Sequence, residues 1–177
     1  NAQEVASGIV NGYNSGIHSF TIIGSYGTGK SCFLLALEKD LQSKGQHNLI
    51  NPQTLSSCKK YEVLKIVGDY KDLASLMRNK LAIDGTADNV LDELRNRYNQ
   101  AKKRGSFLII FIDEFGKVLE HAAKNDPEQE LYFMQKLAEF VNVPTRQILL
   151  ITTLHQNFSA YARKLSSVQK EEWNKVK

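Results

Sequence analysis

The sequence has few of the residues that stabilise extracellular proteins and no segment suited to crossing a membrane. Its 177 residues include only two cysteines, which fits a reducing cytosol, and neither lies at a metal-binding spacing from a histidine. No apolar run approaches the roughly 18 residues of a transmembrane helix, and the N-terminus has no basic and apolar signal segment. We therefore expect a cytoplasmic protein that makes no contact with a membrane.

Charge of one sign is also scarce, because 23 basic residues are nearly balanced by 19 acidic ones. The net charge is +4 and the basic residues are spread along the chain, which permits contact with nucleic acid but does not indicate it. The densest basic cluster, Lys102-Lys103-Arg104, ends a predicted helix, where cations offset the helix dipole. Composition alone therefore gives no argument for a nucleic-acid-binding protein.

The length of the chain suits a single domain over residues 1–177. An apolar content of 42% is sufficient for a three-layer core. The sequence starts without methionine and ends in a highly charged helical stretch, so we expect it to be a fragment of a longer multidomain protein. The other domains of that protein are then its expected partners.

A glycine-rich loop is the most informative segment that is present. Residues 24–31 read Gly24-Ser25-Tyr26-Gly27-Thr28-Gly29-Lys30-Ser31, the G-x-x-x-x-G-K-S pattern of a Walker A motif, between a strand-like apolar run and a helix that starts near Cys32. Glycines let the backbone curl around phosphate oxygens, while its N–H groups and the helix N-terminus attract anions. We expect residues 24–32 to bind nucleotide phosphates, with Lys30 reaching the β- and γ-phosphates and the Ser31 hydroxyl binding Mg²⁺.

A second motif follows about eighty residues later, where six consecutive apolar residues end in two carboxylates, Asp113 and Glu114. Such a run indicates a strand buried on both faces, with its charges at the carboxyl end, where open α/β sheets bind ligands. This is the pattern of a Walker B motif. Asp113 is predicted to bind Mg²⁺, and Glu114 to activate the attacking water as a general base.

Together the two motifs resemble those of P-loop ATPases with an additional strand and a catalytic glutamate, a branch that includes AAA-type and STAND-like ATPases, helicases and ABC ATPases. The resemblance implies ATP and Mg²⁺ as ligands and permits a homo-oligomer. No guanine-recognition motif of the Asn/Thr-Lys-x-Asp type occurs, which favours ATP over GTP. Two segments also look like ATPase modules of large bacterial multidomain proteins, including some phage-defence proteins: Asp113-Glu114-Phe115-Gly116-Lys117 and Leu154-His155-Gln156-Asn157-Phe158.

The resemblance further implies a polar residue, sensor 1, near the end of the strand after Walker B. Thr152, Thr153 and His155 are the candidates, and we assign the catalytic role to Thr153, although ordinary strand-end hydrogen bonds would explain the threonines equally well. An arginine finger cannot be assigned. Arg146 and Arg163 could each face a neighbouring subunit or simply be solvated.

Strand and helix patterns alternate along the chain, which predicts a three-layer α/β/α sandwich with a mainly parallel sheet of about five strands. The Walker A and Walker B strands are expected to be neighbours or near neighbours. Asp88 is predicted to cap the helix over 88–103, and Trp173 to pack against another part of the protein. The predicted strands cover residues 20–23, 47–51, 61–67, 107–112 and 146–153.

The function expected from these features is Mg-dependent ATP binding and hydrolysis that drives conformational change in a larger assembly. One alternative is a STAND-like signalling switch that binds ATP or ADP and hardly turns over. A P-loop kinase or a DNA-dependent motor is a further alternative, and the motor should show DNA-stimulated, salt-dependent activity. The substitution Glu114→Gln distinguishes the first two, because only a true hydrolase would lose turnover while keeping ATP.

Overall fold

The computed structural model describes residues 1–176, apart from the side chains of residues 164, 172, 173, 175 and 176. The packing expected of Trp173 lies outside that description. A four-stranded, wholly parallel sheet forms the centre of the described chain, in the order β1-β4-β3-β2. The strand after Walker B therefore lies between the two Walker strands, which are near neighbours as predicted. The strands are β1 (Ser19–Ile23), β2 (Lys60–Val67), β3 (Ser106–Asp113) and β4 (Ile148–Leu154).

Helices connect these strands and begin where the sequence supplies capping residues. Asp126 accepts a hydrogen bond from the backbone of Gln129 (3.3 Å) just before Pro127, as its sequence context indicates. No helix in residues 1–176 combines the length and the apolar content needed to cross a bilayer. The helices are α1 (Ala2–Asn14), α2 (Lys30–Gln42), α3 (Pro52–Leu55), α4 (Leu73–Leu81), α5 (Ala87–Lys103), α6 (Phe115–Lys124), α7 (Pro127–Val141), α8 (Phe158–Tyr161) and α9 (Ser167–Val176), with a 3₁₀ turn at Ala162–Lys164.

Strand β3 shows why the domain has three layers. Its side chains alternate between two separate apolar clusters, so the strand is buried on both faces. Leu108, Ile110 and Ile112 pack with helices α4 to α7. The alternate residues, including Phe107 and Ile109, pack with helices α1 and α2 on the other face. The predicted three-layer α/β/α sandwich is confirmed.

The strand predicted over residues 47–51 is wrong. The backbone N–H groups of His47, Leu49 and Ile50 donate to the carboxylate of Asp40 at 2.7, 2.9 and 2.8 Å. Those donors are therefore not available to pair with a neighbouring strand. Asn48 has a positive φ of 57°, which also breaks the extended conformation. The described sheet consequently has four strands, close to the predicted five.

The start of helix α5 also differs from the prediction. Thr86 caps the helix, not Asp88, because Asn89 accepts hydrogen bonds from both the backbone and the hydroxyl of Thr86, at 2.7 and 3.0 Å. Asp88 lies in the first turn of the helix, two residues after the cap, where its negative charge complements the helix N-terminus.

Candidate functional site

The glycine-rich loop joins the end of β1 at Ile23 to the start of α2 at Lys30. Gly27 and Gly29 have φ values of 77° and 84°, in the left-handed region where any side chain is strained. The Lys30 ammonium donates to the carbonyls of Gly24 (2.5 Å) and Ser25 (2.8 Å), and only 9% of the lysine is exposed. The loop is thus folded around the lysine side chain.

The two acidic residues lie at the carboxyl end of β3, and Thr153 of the adjacent strand β4 holds them. The Thr153 hydroxyl donates to Asp113 Oδ1 at 2.6 Å. It also accepts from the backbone N–H of Glu114 at 2.9 Å, and that N–H contacts Asp113 Oδ1 at 3.0 Å. Because Thr153 is 1% exposed, it lies beneath the carboxylates and away from the cavity surface.

Glu114 adopts a left-handed conformation (φ 53°), which turns the chain from β3 into α6. Its carboxylate forms an ion pair with Lys117, and this hydrogen bond raises the pKa of the lysine ammonium. Gly68, after the neighbouring strand β2, makes the turn sterically feasible, since a Cβ atom there would lie 2.3 Å from the Glu114 carbonyl oxygen. Sequence reasoning assigned no role to Gly68 and did not predict the pairing of Lys117 with Glu114. The only available signal was a glycine directly after a strand pattern.

The glycine-rich loop and the side chains of Asp113 and Glu114 line one cavity of about 280 Å³. Because the carboxyl ends of parallel strands lie at one edge of the sheet, segments distant in sequence converge there. Thr153 and Thr152 do not line the cavity, and Thr152 instead shares a hydrogen bond with the Thr21 hydroxyl at 2.9 Å. The lining residues are Tyr26, Gly27, Gly29, Lys30, Ser31, Cys32, Asp113, Glu114 and His155.

Among the three sensor candidates, only His155 lines the cavity. Its imidazole stacks on the ring of Tyr26 in the glycine-rich loop, with ring centroids 3.6 Å apart and an interplanar angle of 20°. Both imidazole nitrogens are buried and have no hydrogen-bond partner among the described residues. Buried polar atoms normally have partners, so both imidazole nitrogens keep unused hydrogen-bonding capacity.

The two arginines considered as fingers differ in their surroundings. Arg146 donates to the carbonyl of Phe140, and its guanidinium lies 4.5 Å from the Phe140 ring centroid. Those contacts give it a structural role within the chain. Arg163 is exposed in the 3₁₀ turn, and its function stays a prediction.

A parallel sheet with a glycine-rich loop between its first strand and the following helix defines a P-loop nucleotide-binding protein. A family model described as "ATPase family associated with various cellular activities (AAA)" matches residues 20–172. The chain therefore belongs to the AAA family, and membership implies ATP binding and hydrolysis. No curated protein has a significant sequence match to the chain.

Solved structures share the fold at low sequence identity. The ORC2 protein of Aeropyrum pernix is similar in its ADPNP–ADP complexes (TM-score 0.56, 16% identity, 97% of this chain) and in its ADP form (0.55, 16%, 96%). Cdc6p from Pyrobaculum aerophilum has a TM-score of 0.50 and 15% identity over 99% of this chain. The chain spans less than half of each relative, 45% of ORC2 and 42% of Cdc6p. The likeness to STAND-like and phage-defence modules stays a prediction.

Proposed function

We propose that this chain binds ATP together with Mg²⁺ and hydrolyses it to ADP and phosphate. The observation that carries the proposal is the single cavity at which the glycine-rich loop meets Asp113 and Glu114. Membership of the AAA family supports it. The ADPNP and ADP in the ORC2 complexes further favour an adenine nucleotide over a guanine nucleotide.

Binding of the phosphates is assigned to residues 24–32. The loop and the N-terminal turn of α2 supply backbone N–H groups, and the helix dipole adds positive potential at the same place. The Lys30 ammonium has three donors, of which the carbonyls of Gly24 and Ser25 use two. The third N–H donor of the ammonium is available for a phosphate oxygen. The two carbonyl contacts hold the positive charge of Lys30 at the loop.

The residues present fit a magnesium ion. Ser31 and Asp113 both line the cavity and offer the oxygen ligands that Mg²⁺ prefers. Only Oδ1 of Asp113 is engaged among the described residues, so Oδ2 is available. When bound there, the ion would neutralise charge on the phosphates.

Glu114 is proposed as the general base. Water attacks the γ-phosphorus as the bond to the β-γ bridging oxygen breaks, and the water proton passes to the Glu114 carboxylate. Thr153 fixes the backbone from which this carboxylate projects, so its role is to position Glu114 and Asp113. In the structure Oε2 of Glu114 is paired with Lys117, and Oε1 is the oxygen that would take the water proton.

The Glu114–Lys117 pair also favours the second candidate, a switch that binds ATP or ADP and turns over slowly. In either case we propose that residues 1–177 act as one cytoplasmic ATPase domain of a longer protein. Nucleotide-dependent conformational change would then be passed to the other domains or to a second copy of the chain.

Phosphate release from Mg-ATP and Mg-GTP tests these roles, with Lys30→Ala and Glu114→Gln alongside. We expect ATP-selective turnover that both substitutions abolish, while Glu114→Gln still binds ATP. If the wild-type chain binds ATP without hydrolysing it, and only Lys30→Ala loses this binding, the switch would be supported. Absence of nucleotide binding in the wild-type chain would refute both.

A further inference from the structure

An aromatic pair joins the glycine-rich loop to the neighbouring strand end. Tyr26 belongs to the loop after β1, and His155 directly follows β4, the strand with which β1 pairs. Their rings stack at 3.6 Å and both line the cavity that holds Lys30 and Glu114. The pair therefore forms a bridge across one side of the proposed phosphate site. We call Tyr26 and His155 the aromatic clasp.

The stack is a contact that both rings share. Tyr26 is 76% exposed, so burial contributes little to its position. The His155 ring nitrogens lack hydrogen-bond partners within residues 1–176. Aromatic stacking is a modest interaction, so the clasp can open at low cost.

In contrast to the two side chains, the backbone segments that precede Tyr26 and His155 are held together by a hydrogen bond. The N–H of Gly24 donates to the carbonyl of Leu154 at 3.1 Å, which extends the β1–β4 pairing up to the loop. Opening therefore requires the loop residues around Tyr26 and the two side chains to move, while the strand ends stay in place.

We propose that the aromatic clasp retains bound nucleotide by closing the glycine-rich loop over the phosphates, and that its opening governs nucleotide release. This inference rests on the proposed function and adds two positioning residues to it. The clasp acts through the loop, so its effect falls on the dissociation rate of both ATP and ADP. The slow release depends on the stacking of the two rings. It does not depend on a hydrogen bond between the imidazole and a phosphate.

Stopped-flow displacement of mant-ADP and of a non-hydrolysable mant-ATP analogue measures this rate. We expect Tyr26→Ala to raise dissociation of both nucleotides about three- to ten-fold, the range that loss of one aromatic pair gives. Tyr26→Phe keeps the ring and should keep slow release. His155→Phe should also keep it, whereas His155→Ala should match Tyr26→Ala, and the double alanine variant should be no faster than either single one.

Each outcome decides for or against the clasp. Additive effects of the two alanine substitutions, or a His155→Phe variant as fast as His155→Ala, would overturn it and point to the imidazole nitrogens. Unchanged release in Tyr26→Ala would overturn it as well, while loss of binding in Lys30→Ala leaves the proposed function standing. If the wild-type chain binds neither mant-nucleotide, the proposed function fails and the clasp fails with it.

Discussion

Asp40 and Asp113 are two carboxylates with opposite surroundings. Asp40 is fully buried in α2, and its two oxygens accept three backbone N–H groups at 2.7–2.9 Å. Asp113 uses only Oδ1, toward Thr153 and the Glu114 backbone, and it lines a cavity. A carboxylate whose oxygens are all engaged by backbone belongs to the scaffold. One that keeps an oxygen free at a cavity is available for a ligand.

The largest effect is expected for Asp40→Ala. Three backbone N–H groups would lose their acceptor in the interior, which should lower the free energy of unfolding by about 3 kcal/mol or more. Urea denaturation measures the change, with the exposed Asp84→Ala as the matched control. If Asp40→Ala were no worse than the control, Asp40 would not be a scaffold residue.

Asp113→Asn should behave in the opposite way. The amide oxygen can still accept from Thr153, so the unfolding free energy should change by less than about 1 kcal/mol. The gain in ATP affinity on adding Mg²⁺ should fall about ten-fold or more, because a neutral ligand replaces a carboxylate. Titration of mant-ATP with Mg²⁺ and with EDTA measures this. A variant that keeps the full Mg²⁺ effect would remove Asp113 from the proposed metal site.

Glu130 offers a third carboxylate that sharpens the comparison. Burial, together with the charges of Asp72 and Asp126, raises its pKa to about 7, and the Leu73 N–H at 3.5 Å offsets this only weakly. The Nδ1 atom of His121 lies 3.7 Å from Oε1 of Glu130. A carboxyl whose pKa is raised on folding binds more protons in the folded state than in the unfolded state. Its contribution to stability is therefore lost as pH rises from about 4.5 to about 7.

Glu130→Gln should remove this pH dependence. Between pH 5 and pH 8 the wild-type chain should lose about 2–3 kcal/mol relative to the variant, as measured by urea denaturation at both values. The variant should be the more stable of the two at pH 8. Equal pH slopes in both proteins would show that Glu130 is not protonated on folding.

The smallest effect concerns Thr153. Thr153→Val keeps the shape but removes the hydroxyl that joins Asp113 to the Glu114 backbone, at a cost of about 1 kcal/mol of stability. Turnover should fall several-fold with little change in ATP affinity. Thr152→Val, which loses only the Thr21 hydrogen bond, is the matched control for stability. Equal turnover in both variants would argue against a positioning role for Thr153.

The fold was largely predictable because its signals are local. The apolar run before Asp113 indicated a doubly buried strand, and the Asp126-Pro127 pair marked a helix start, as observed. The strand expected at 47–51 failed because the side chain of Asp40, several residues away, took the backbone donors of that segment. A pattern of apolar residues does not reveal such a competing acceptor.

The candidate site was predictable in its residues but not in its contacts. Motif spacing selected Lys30, Asp113 and Glu114, and the rule for parallel sheets predicted the edge at which they meet. Gly68, Lys117 and the aromatic clasp depend on which loops become neighbours. Strand order decides that, and the order β1-β4-β3-β2 follows from tertiary packing and not from any local pattern. The catalytic and binding roles themselves stay predictions.

The position of β4 also sets the width of the site. Adjacent strands lie about 4.8 Å apart, so two spacings place the ends of β1 and β3 roughly 10 Å from each other. The middle strand thus separates the end of β1, where the glycine-rich loop begins, from Asp113 at the end of β3, and the Lys30 ammonium contacts the loop carbonyls of Gly24 and Ser25. A group that is negative toward the lysine and carries a cation toward the carboxylate has the charge pattern to bridge the two strand ends.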